Sequence, residues 1–197
     1  SNTQNHPKTH QKPMPTPFLP QNGNAYRNLA CYKKAACLTD ITYLFTQRFL
    51  AKGDRTIDQM NQAARSGQSN IAEGIAAGVT SKETELKLLN VAKASHQELL
   101  MDYENYLRMR NLPQWDPAGP DTAKARRSCR QHEDPEYYHT IFPQGSDQQW
   151  ANVAIVMLHQ CDYLLHRLIE SKKQQFLTQG GIREALTRAR LQHREGQ

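Results

Sequence analysis

The sequence predicts an all-α protein, with a bundle of four amphipathic helices, a Pro-rich insertion before the last long helix and a short C-terminal helical suffix. Apolar residues recur at steps of three and four along four long segments, which is the period of a helix with one buried face. The third segment alone predicts a rod of about 45 Å at the helical rise. The sequence has no stretch with the alternation of a β-strand. We therefore expect helices alone to form the core.

The first helix is predicted over residues 26–51, after a Pro-rich segment at 1–24 that we expect to be a disordered tail. Its inner face is expected to carry large apolar residues, namely Leu38, Ile41, Phe45 and Phe49. Its basic residues are expected on the outside, namely Lys33, Lys34 and Arg48. Gly53 is expected to end the helix. The predicted domains are the tail, a bundle at 25–178 and a basic suffix at 179–197.

The second helix is predicted to start at a capping box, Thr56-x-x-Gln59, and to end at Gly78. Its centre, residues 62–74, is unusually rich in small and polar residues. Gly67 and Gly74 would each cost about 1 kcal/mol in a helix relative to Ala. Because a sequence that accepts this cost usually needs close packing, we expect a neighbouring helix to cross near Gly67.

The third helix is predicted to start at a second capping box, Thr80-x-x-Glu83, and to stop before Pro113. Residues 113–145 are rich in proline and are predicted to be an insertion with one short helix. A third capping box, Ser146-x-x-Gln149, then opens the last long helix. This helix has the clearest apolar stripe, formed by Trp150, Val153, Ala154, Met157, Cys161, Leu164, Leu165, Leu168 and Ile169.

Composition indicates a soluble, cytoplasmic protein. The chain of 197 residues has a formal net charge of +6 and no apolar run of the length that a membrane span needs. Its first residues do not form the apolar core of a signal peptide. The four cysteines form no Cys-x-x-Cys pair, which favours reduced thiols in the core.

The run Asn-Ile-Ala-Glu-Gly at residues 70–74 closes the second helix. With four amphipathic helices, it resembles the bacterial four-helix bundle proteins encoded in 23S ribosomal RNA intervening sequences, whose relatives include the accessory protein of diversity-generating retroelements. The common form has Ala-x-Ser-Ile-Pro-x before this run, where residues 64–69 read Ala-Arg-Ser-Gly-Gln-Ser. With Asp-Tyr at 102–103 and Gly-Gly-Ile-Arg-Glu at 180–184, this departure is closer to the four-helix bundle suffix-domain branch. The resemblance covers residues 26–191.

The resemblance implies an antiparallel up-and-down bundle and ring-like homo-oligomers. It also implies a basic scaffold that associates with RNA or DNA and with a reverse transcriptase or another protein partner. It implies little about enzymatic activity.

Asn70 and Glu73 lie three residues apart beside Gly74, so they share a helical face and are candidates for a functional pair. We favour a structural role, because polar residues near glycines often bond backbone groups or bridge helices. No set of histidine, serine or carboxylate residues accompanies them at catalytic or metal-binding spacing. Cys129-x-x-His132 is half of a zinc site without a second half. We therefore expect no enzyme activity, metal or cofactor.

Two basic segments are candidate nucleic-acid surfaces. The suffix carries arginines that could lie over successive phosphates, namely Arg183, Arg188, Arg190 and Arg194. The insertion carries Lys124, Arg126, Arg127 and Arg130 next to Tyr137 and Tyr138, which could stack on bases. Arg65, where the family has an apolar residue, could grip a partner or a phosphate. Solvated charge or pairing between subunits is the alternative for the two basic segments, and solvated charge is the alternative for Arg65.

We therefore expect a non-enzymatic, self-assembling scaffold or adaptor that associates with nucleic acid through basic surfaces and does not enter a membrane. The alternative is a protein–protein interaction module without a nucleic-acid role, in which the arginines of the suffix dock an acidic partner helix or a second subunit.

Overall fold

The structure is a computed structural model that describes residues 24–179 and 182–195, except the side chains of residues 179, 182, 183 and 185. Its α-helices are α1 (Ala30–Phe49), α2 (Arg55–Ala77), α3 (Lys82–Met109), α4 (Pro120–Gln131), α5 (Pro135–Ile141), α6 (Asp147–Gln179) and α7 (Ile182–Glu195), with 3-10 helices at Ala25–Asn28 and Phe142–Gln144. All regular structure in this part of the chain is helical, which confirms the all-α prediction. The predicted tail lies outside the described residues apart from Asn24.

Each of the four long helices packs against two others: α1 contacts α2 and α6, and α3 contacts α2 and α6. Hydrogen bonds between α1 and α2 pair residues in opposite chain order. Near the middle of α1, the Thr39 hydroxyl donates to the carbonyl of Ala64, and about two turns later Thr46 accepts from Asn61. The same order holds between α3 and α6, where Lys172 pairs with Glu85 at one end. At the other end Tyr106 donates to Asp147.

The core lies between these four helices and is closed at one end by aromatic rings. The rings of Tyr103 and Tyr106 meet Phe45 edge-on, with centroids 5.1 and 4.8 Å from it. The hydroxyls of Thr42 and Tyr103 share a buried hydrogen bond of 2.9 Å. Trp150 stacks on Phe142 and donates from its indole nitrogen to the Phe142 carbonyl at 2.9 Å. The apolar stripe predicted for the last long helix is buried or partly buried at every position, which confirms its assignment to the core.

Two of the three predicted capping boxes are wrong, and each error is a shift of one or two residues. The N-cap of α2 is Asp54, whose carboxylate accepts from the backbone of Thr56. The N-cap of α3 is Ser81, whose hydroxyl accepts from the backbone of Thr84. Another good N-cap residue lies within two positions of each predicted cap, and hydrophobic periodicity does not show which of the two begins the helix. The third box is confirmed, since Ser146 and Gln149 bond each other's backbone nitrogen at 3.2 and 2.9 Å.

The first helix begins later than predicted. Residues 25–28 form a 3-10 turn, and Leu29 is extended with φ −74° and ψ 130°, so α1 starts at Ala30. The other end is close to the prediction, because α1 stops at Phe49 and Gly53 adopts φ +90° in the following turn. That positive φ favours glycine over any other residue.

The insertion has more structure than the single short helix predicted for it. It contains α4, α5 and the second 3-10 helix, with α4 packed on α6 and α5 packed on α1. The prediction that Lys34 lies on the outside of the first helix is wrong, because the insertion covers this residue. Lys34 is only 3% exposed. Its ammonium group donates to the Cys129 carbonyl in the last turn of α4 at 2.7 Å. A lysine is favoured there because the C-terminal end of a helix carries partial negative charge.

The glycines of α2 allow close packing against α3, but at two different kinds of contact. A Cβ added to Gly67 would overlap the imidazole ring of His96, so this glycine makes room for a side chain. A Cβ added to Gly74 would lie 3.3 Å from the backbone oxygen of Glu85, so the two backbones come close at this glycine. The close packing expected near Gly67 is therefore present, with the backbone contact two turns further along.

Within residues 24–179 and 182–195, no helix combines the length and the apolar character that a membrane crossing demands.

Candidate functional site

A groove runs between α4, α6 and the segment at 113–119, and we call it the α4–α6 groove. Its volume is about 540 Å³, which is within the usual range for a small-molecule or nucleotide-sized site. It is lined by Gln114, Trp115, Pro117, Thr122, Arg126, Arg130, Asn152, Ile155, Val156, His159, Gln160 and Tyr163. One wall therefore comes from the insertion and the other from the outer side of the last long helix.

Buried polar side chains hold the walls of the groove in place. Asn152 is 1% exposed; it accepts from the backbone nitrogen of Trp115 at 2.8 Å and donates to the Pro113 carbonyl at 3.0 Å. In the first turn of α4, the Thr122 hydroxyl donates to the Asp116 carbonyl at 2.7 Å. Gln160 of α6 donates to the Arg126 carbonyl at 3.0 Å. These bonds fix both the 113–119 segment and α4 to α6, so the groove is preformed.

The charge of the groove is positive. Arg126 and Arg130 are four residues apart on α4, so both project from one side of this helix into the groove. Both side chains are exposed, and none of the described residues that line the groove is acidic. Asp162 of α6 does not line the groove, and its carboxylate lies 3.8 Å from the ammonium group of Lys93 on α3. Two guanidinium groups at this spacing can hold adjacent phosphate oxygens.

Aromatic side chains lie in the same groove. Tyr163 is 59% exposed although it is large and apolar, and Trp115 and His159 line the groove with it. The guanidinium group of Arg167, one turn along α6, lies over the Tyr163 ring at 6.0 Å from its centroid. Exposed rings beside arginines are typical of surfaces that stack nucleobases.

The aromatic partners predicted for the basic insertion are wrong. Tyr138 is 1% exposed, and its hydroxyl donates to the His132 carbonyl at 2.9 Å. Tyr137 stacks on the His132 ring with centroids 3.6 Å apart, so that face is covered. The prediction failed because neighbours in sequence were assumed to be neighbours on the surface. A signal for the correct residues existed, since His159, Tyr163 and Arg167 recur every four residues on the polar side of the helix.

The predicted basic residues do not form one surface. Arg126 and Arg130 line the groove, whereas the exposed Arg127 and Lys124 do not. Arg65 is exposed on α2 and lines two shallow depressions between α1 and α2. The arginines of the suffix with described side chains are exposed on α7, namely Arg188, Arg190 and Arg194. The side chain of Arg183 lies outside the described residues.

The motif of the second helix has structural contacts. Asn70 donates to the carbonyl of Ser66 at 2.9 Å and to its hydroxyl at 3.1 Å. That hydroxyl shares a hydrogen bond of 2.9 Å with Ser95, so the motif bridges α2 and α3. Glu73 is exposed. These contacts match the structural interpretation of Asn70 and place Glu73 on the surface.

Burial suppresses the reactivity of the potential nucleophiles. All four cysteines are free and buried, as expected for core thiols. Loss of solvent raises the pKa of Cys31 to about 11 and that of Cys37 to about 12, and it raises the pKa of Cys129 and Cys161 as well. The thiols therefore remain protonated at neutral pH, and the thiolate that a nucleophilic cysteine requires does not form.

His96 is a further titratable group that is enclosed in the core. It is 2% exposed, and burial lowers its pKa to about 4. Its Nδ1 lies 3.7 Å from the sulfur of Cys161, while Nε2 faces Gly67 and has no hydrogen-bond partner among the described residues. A neutral imidazole in this position fills space between α2, α3 and α6.

The described residues contain no cluster of three or more histidine, cysteine, aspartate or glutamate side chains arranged to hold a metal ion. His159 and His166, which are seven residues apart on α6, are both exposed.

Comparisons of the chain with models of known protein families, with curated proteins and with solved structures found no match.

Proposed function

We propose that the protein is a non-enzymatic, nucleic-acid-associated scaffold whose four long helices form an antiparallel up-and-down four-helix bundle. The pairwise packing of α1, α2, α3 and α6 and the opposite order of their contacts support the bundle. The resemblance to the four-helix bundle suffix-domain branch supports it independently, on the run at residues 70–74.

The α4–α6 groove is the observation that carries the nucleic-acid role. It combines a preformed shape, two arginines with the spacing of adjacent phosphate contacts and exposed aromatic rings. Electrostatic attraction to phosphates supplies most of the affinity of non-specific nucleic-acid binding. A charged surface whose only role is solubility requires neither the anchoring by Asn152 nor exposed aromatic rings beside the arginines.

The test is the affinity for single-stranded RNA and DNA across a salt series. We expect affinity to fall linearly with the logarithm of salt concentration, by a slope of about 0.7 for each phosphate that the protein neutralises. The double variant Arg126→Gln with Arg130→Gln should reduce this slope by about 0.7, since the two arginines together hold one phosphate.

The matched control is the double variant Lys124→Gln with Arg127→Gln. It removes the same charge from exposed positions on the same helix, outside the groove. If both double variants change the slope equally, net charge alone governs binding and the groove is not the interface. Absence of binding at low salt, or affinity that does not depend on salt, contradicts the proposal as a whole.

Self-assembly belongs to the same proposal, and it is supported by exposed apolar side chains near the C-terminal end of the described chain. These are Phe176 and Leu177 on α6, and Leu186 and Leu191 on α7. Exposed apolar side chains that form a contiguous patch are typical of a protein interface. Light scattering after size-exclusion chromatography should show a multiple of the monomer mass of 22.6 kDa, and the variant Leu186→Lys with Leu191→Lys should lower it.

The second candidate is a protein-interaction module, and α7 favours it because it carries both exposed leucines and exposed arginines. This pattern suits an acidic partner helix, including a segment of a reverse transcriptase. A pull-down after nuclease treatment separates the two functions. Partners that remain bound without nucleic acid support the module, and partners that are lost support the scaffold.

A further inference from the structure

The α4–α6 groove contains two kinds of side chain that recognise different parts of a nucleotide. Arg126 and Arg130 on the α4 wall match a phosphate, whereas Tyr163 on the α6 wall offers an aromatic face that is mostly exposed. Trp115 lies on the 113–119 segment and contributes a second ring. Tyr163 is 59% exposed, so its ring is accessible to a ligand in the groove.

Base pairing decides which nucleic acid can use both kinds of contact at once. In a duplex, each base is stacked between its neighbours and has no free face for a tyrosine ring. In an unpaired strand, the bases can leave the stack and lie on an aromatic side chain while the phosphate remains beside the arginines. A duplex can reach only the arginines.

We propose that the α4–α6 groove binds an unpaired nucleotide of a single strand, with its phosphate on Arg126 and Arg130 and its base stacked on Tyr163. This inference rests on the proposed function, because it names the form of nucleic acid that the same site takes. The base contact is tolerant of sequence, since every base has an aromatic face.

Arg167 strengthens the base contact. Its guanidinium group lies over the Tyr163 ring at 6.0 Å from the centroid, so a cation contacts one face of the ring. Stacking of an arginine on a ring restricts the motion of both side chains. The site therefore presents a partly ordered aromatic face before a base arrives.

The experiment compares three probes of about ten nucleotides: a thymidine single strand, an abasic strand with the same phosphates, and a duplex. Binding is followed by fluorescence anisotropy of labelled probes at fixed salt. We expect the single strand to bind about tenfold more tightly than the abasic strand, since one stacked base contributes this much or more. The duplex should bind no more tightly than the abasic strand.

Variants of Tyr163 link this difference to the groove. Tyr163→Ala should remove the tenfold preference for bases, and Tyr163→Phe should retain it, because the phenylalanine ring stacks equally well. Tyr43 is a matched control, because it is 55% exposed on α1 and does not line the groove. Tyr43→Ala should leave the preference unchanged.

Tryptophan fluorescence gives an independent readout. The chain has two tryptophans, and Trp150 is 4% exposed and bonded to the Phe142 carbonyl. Quenching on addition of the thymidine strand should therefore come from Trp115 and disappear in Trp115→Phe.

The outcomes separate this inference from the proposed function. Equal binding of the abasic and thymidine strands, or a base preference that survives Tyr163→Ala, overturns the stacking contact while salt-dependent binding through the arginines stands. A duplex that binds as tightly as the single strand overturns it too. Loss of salt-dependent binding to every probe overturns the proposed function and this inference together.

Discussion

Gly67 of α2 contacts His96 of α3. We expect the effect of Gly67→Ala on stability to change sign when His96 is replaced as well. A Cβ at position 67 would overlap the imidazole ring, and His96 is 2% exposed, so the ring has no solvent to move into. Overpacking of this kind costs up to about 3 kcal/mol. Alanine in place of glycine returns about 1 kcal/mol of helix propensity. Gly67→Ala should therefore destabilise the protein by about 2 kcal/mol.

The same substitution should have the opposite sign when the imidazole ring is absent. In a His96→Ala background, the added methyl group meets no ring, and only the gain in helix propensity of about 1 kcal/mol remains. The coupling free energy between the two positions is then about 3 kcal/mol, well above the deviation from additivity that independent sites show. Urea unfolding of the four proteins of this double-mutant cycle measures it, provided that the m-values agree.

Gly74 supplies the matched control for this cycle. Its added Cβ would meet the Glu85 carbonyl and the Leu88 Cβ at 3.3 Å, and His96 is not among its neighbours. Gly74→Ala should therefore give the same change in unfolding free energy with and without His96. If Gly67→Ala is equally destabilising in both backgrounds, the imidazole ring is not the reason for the glycine.

Two further predictions concern the buried titratable side chains of His96 and Lys34. The pKa of His96 is about 4 in the folded protein and about 6.5 in the unfolded chain, so the unfolded state binds the proton more readily between these values. The stability contributed by neutral His96 is fully present above pH 6.5 and is lost as the pH falls towards 4, by up to about 3 kcal/mol. When the free energy of unfolding is measured against pH, this loss should be absent from the variant His96→Ala. Lys34→Met should cost about 2 kcal/mol, because it leaves the Cys129 carbonyl buried without its donor. Lys33→Met should change stability by less than about 0.5 kcal/mol, since the Lys33 side chain is 42% exposed. If Lys34→Met causes an equally small loss, the Lys34 bond does not contribute to stability.

The parts of the fold that could be predicted are those that depend on local periodicity. A stripe such as that of α6 must be buried wherever the helix packs, so the identity of its partner is not needed. Helix starts were less predictable, because Thr80 and Ser81 are both good caps and only the loop geometry selects Ser81. The burial of Glu85 between Lys82 and Lys172 was also missed, since it depends on the end of α6 reaching the start of α3.

The groove could be predicted only in part, because its two walls come from distant segments. Arg126 and Arg130 were identifiable from charge and helical spacing alone. The proximity of Trp115 and Tyr163 to these arginines was not predictable, since it depends on how α4 packs on α6 and on the bonds that Asn152 makes. The burial of Lys34 has the same origin, namely the packing of the insertion.

The separation of the glycine motif from the groove makes the proposed function testable without confusion with stability. Gly67 and His96 lie between the long helices, whereas the groove lies where the insertion covers α6. The side chains that would touch a strand, Arg126 and Tyr163, are exposed, so their removal should leave the free energy of unfolding nearly unchanged. Asn152 is different, because its loss would leave backbone groups of the 113–119 segment unpaired and reshape the groove. An effect of Tyr163→Ala on binding therefore reports on contact with the strand, and an effect of an Asn152 variant reports on the preformed shape.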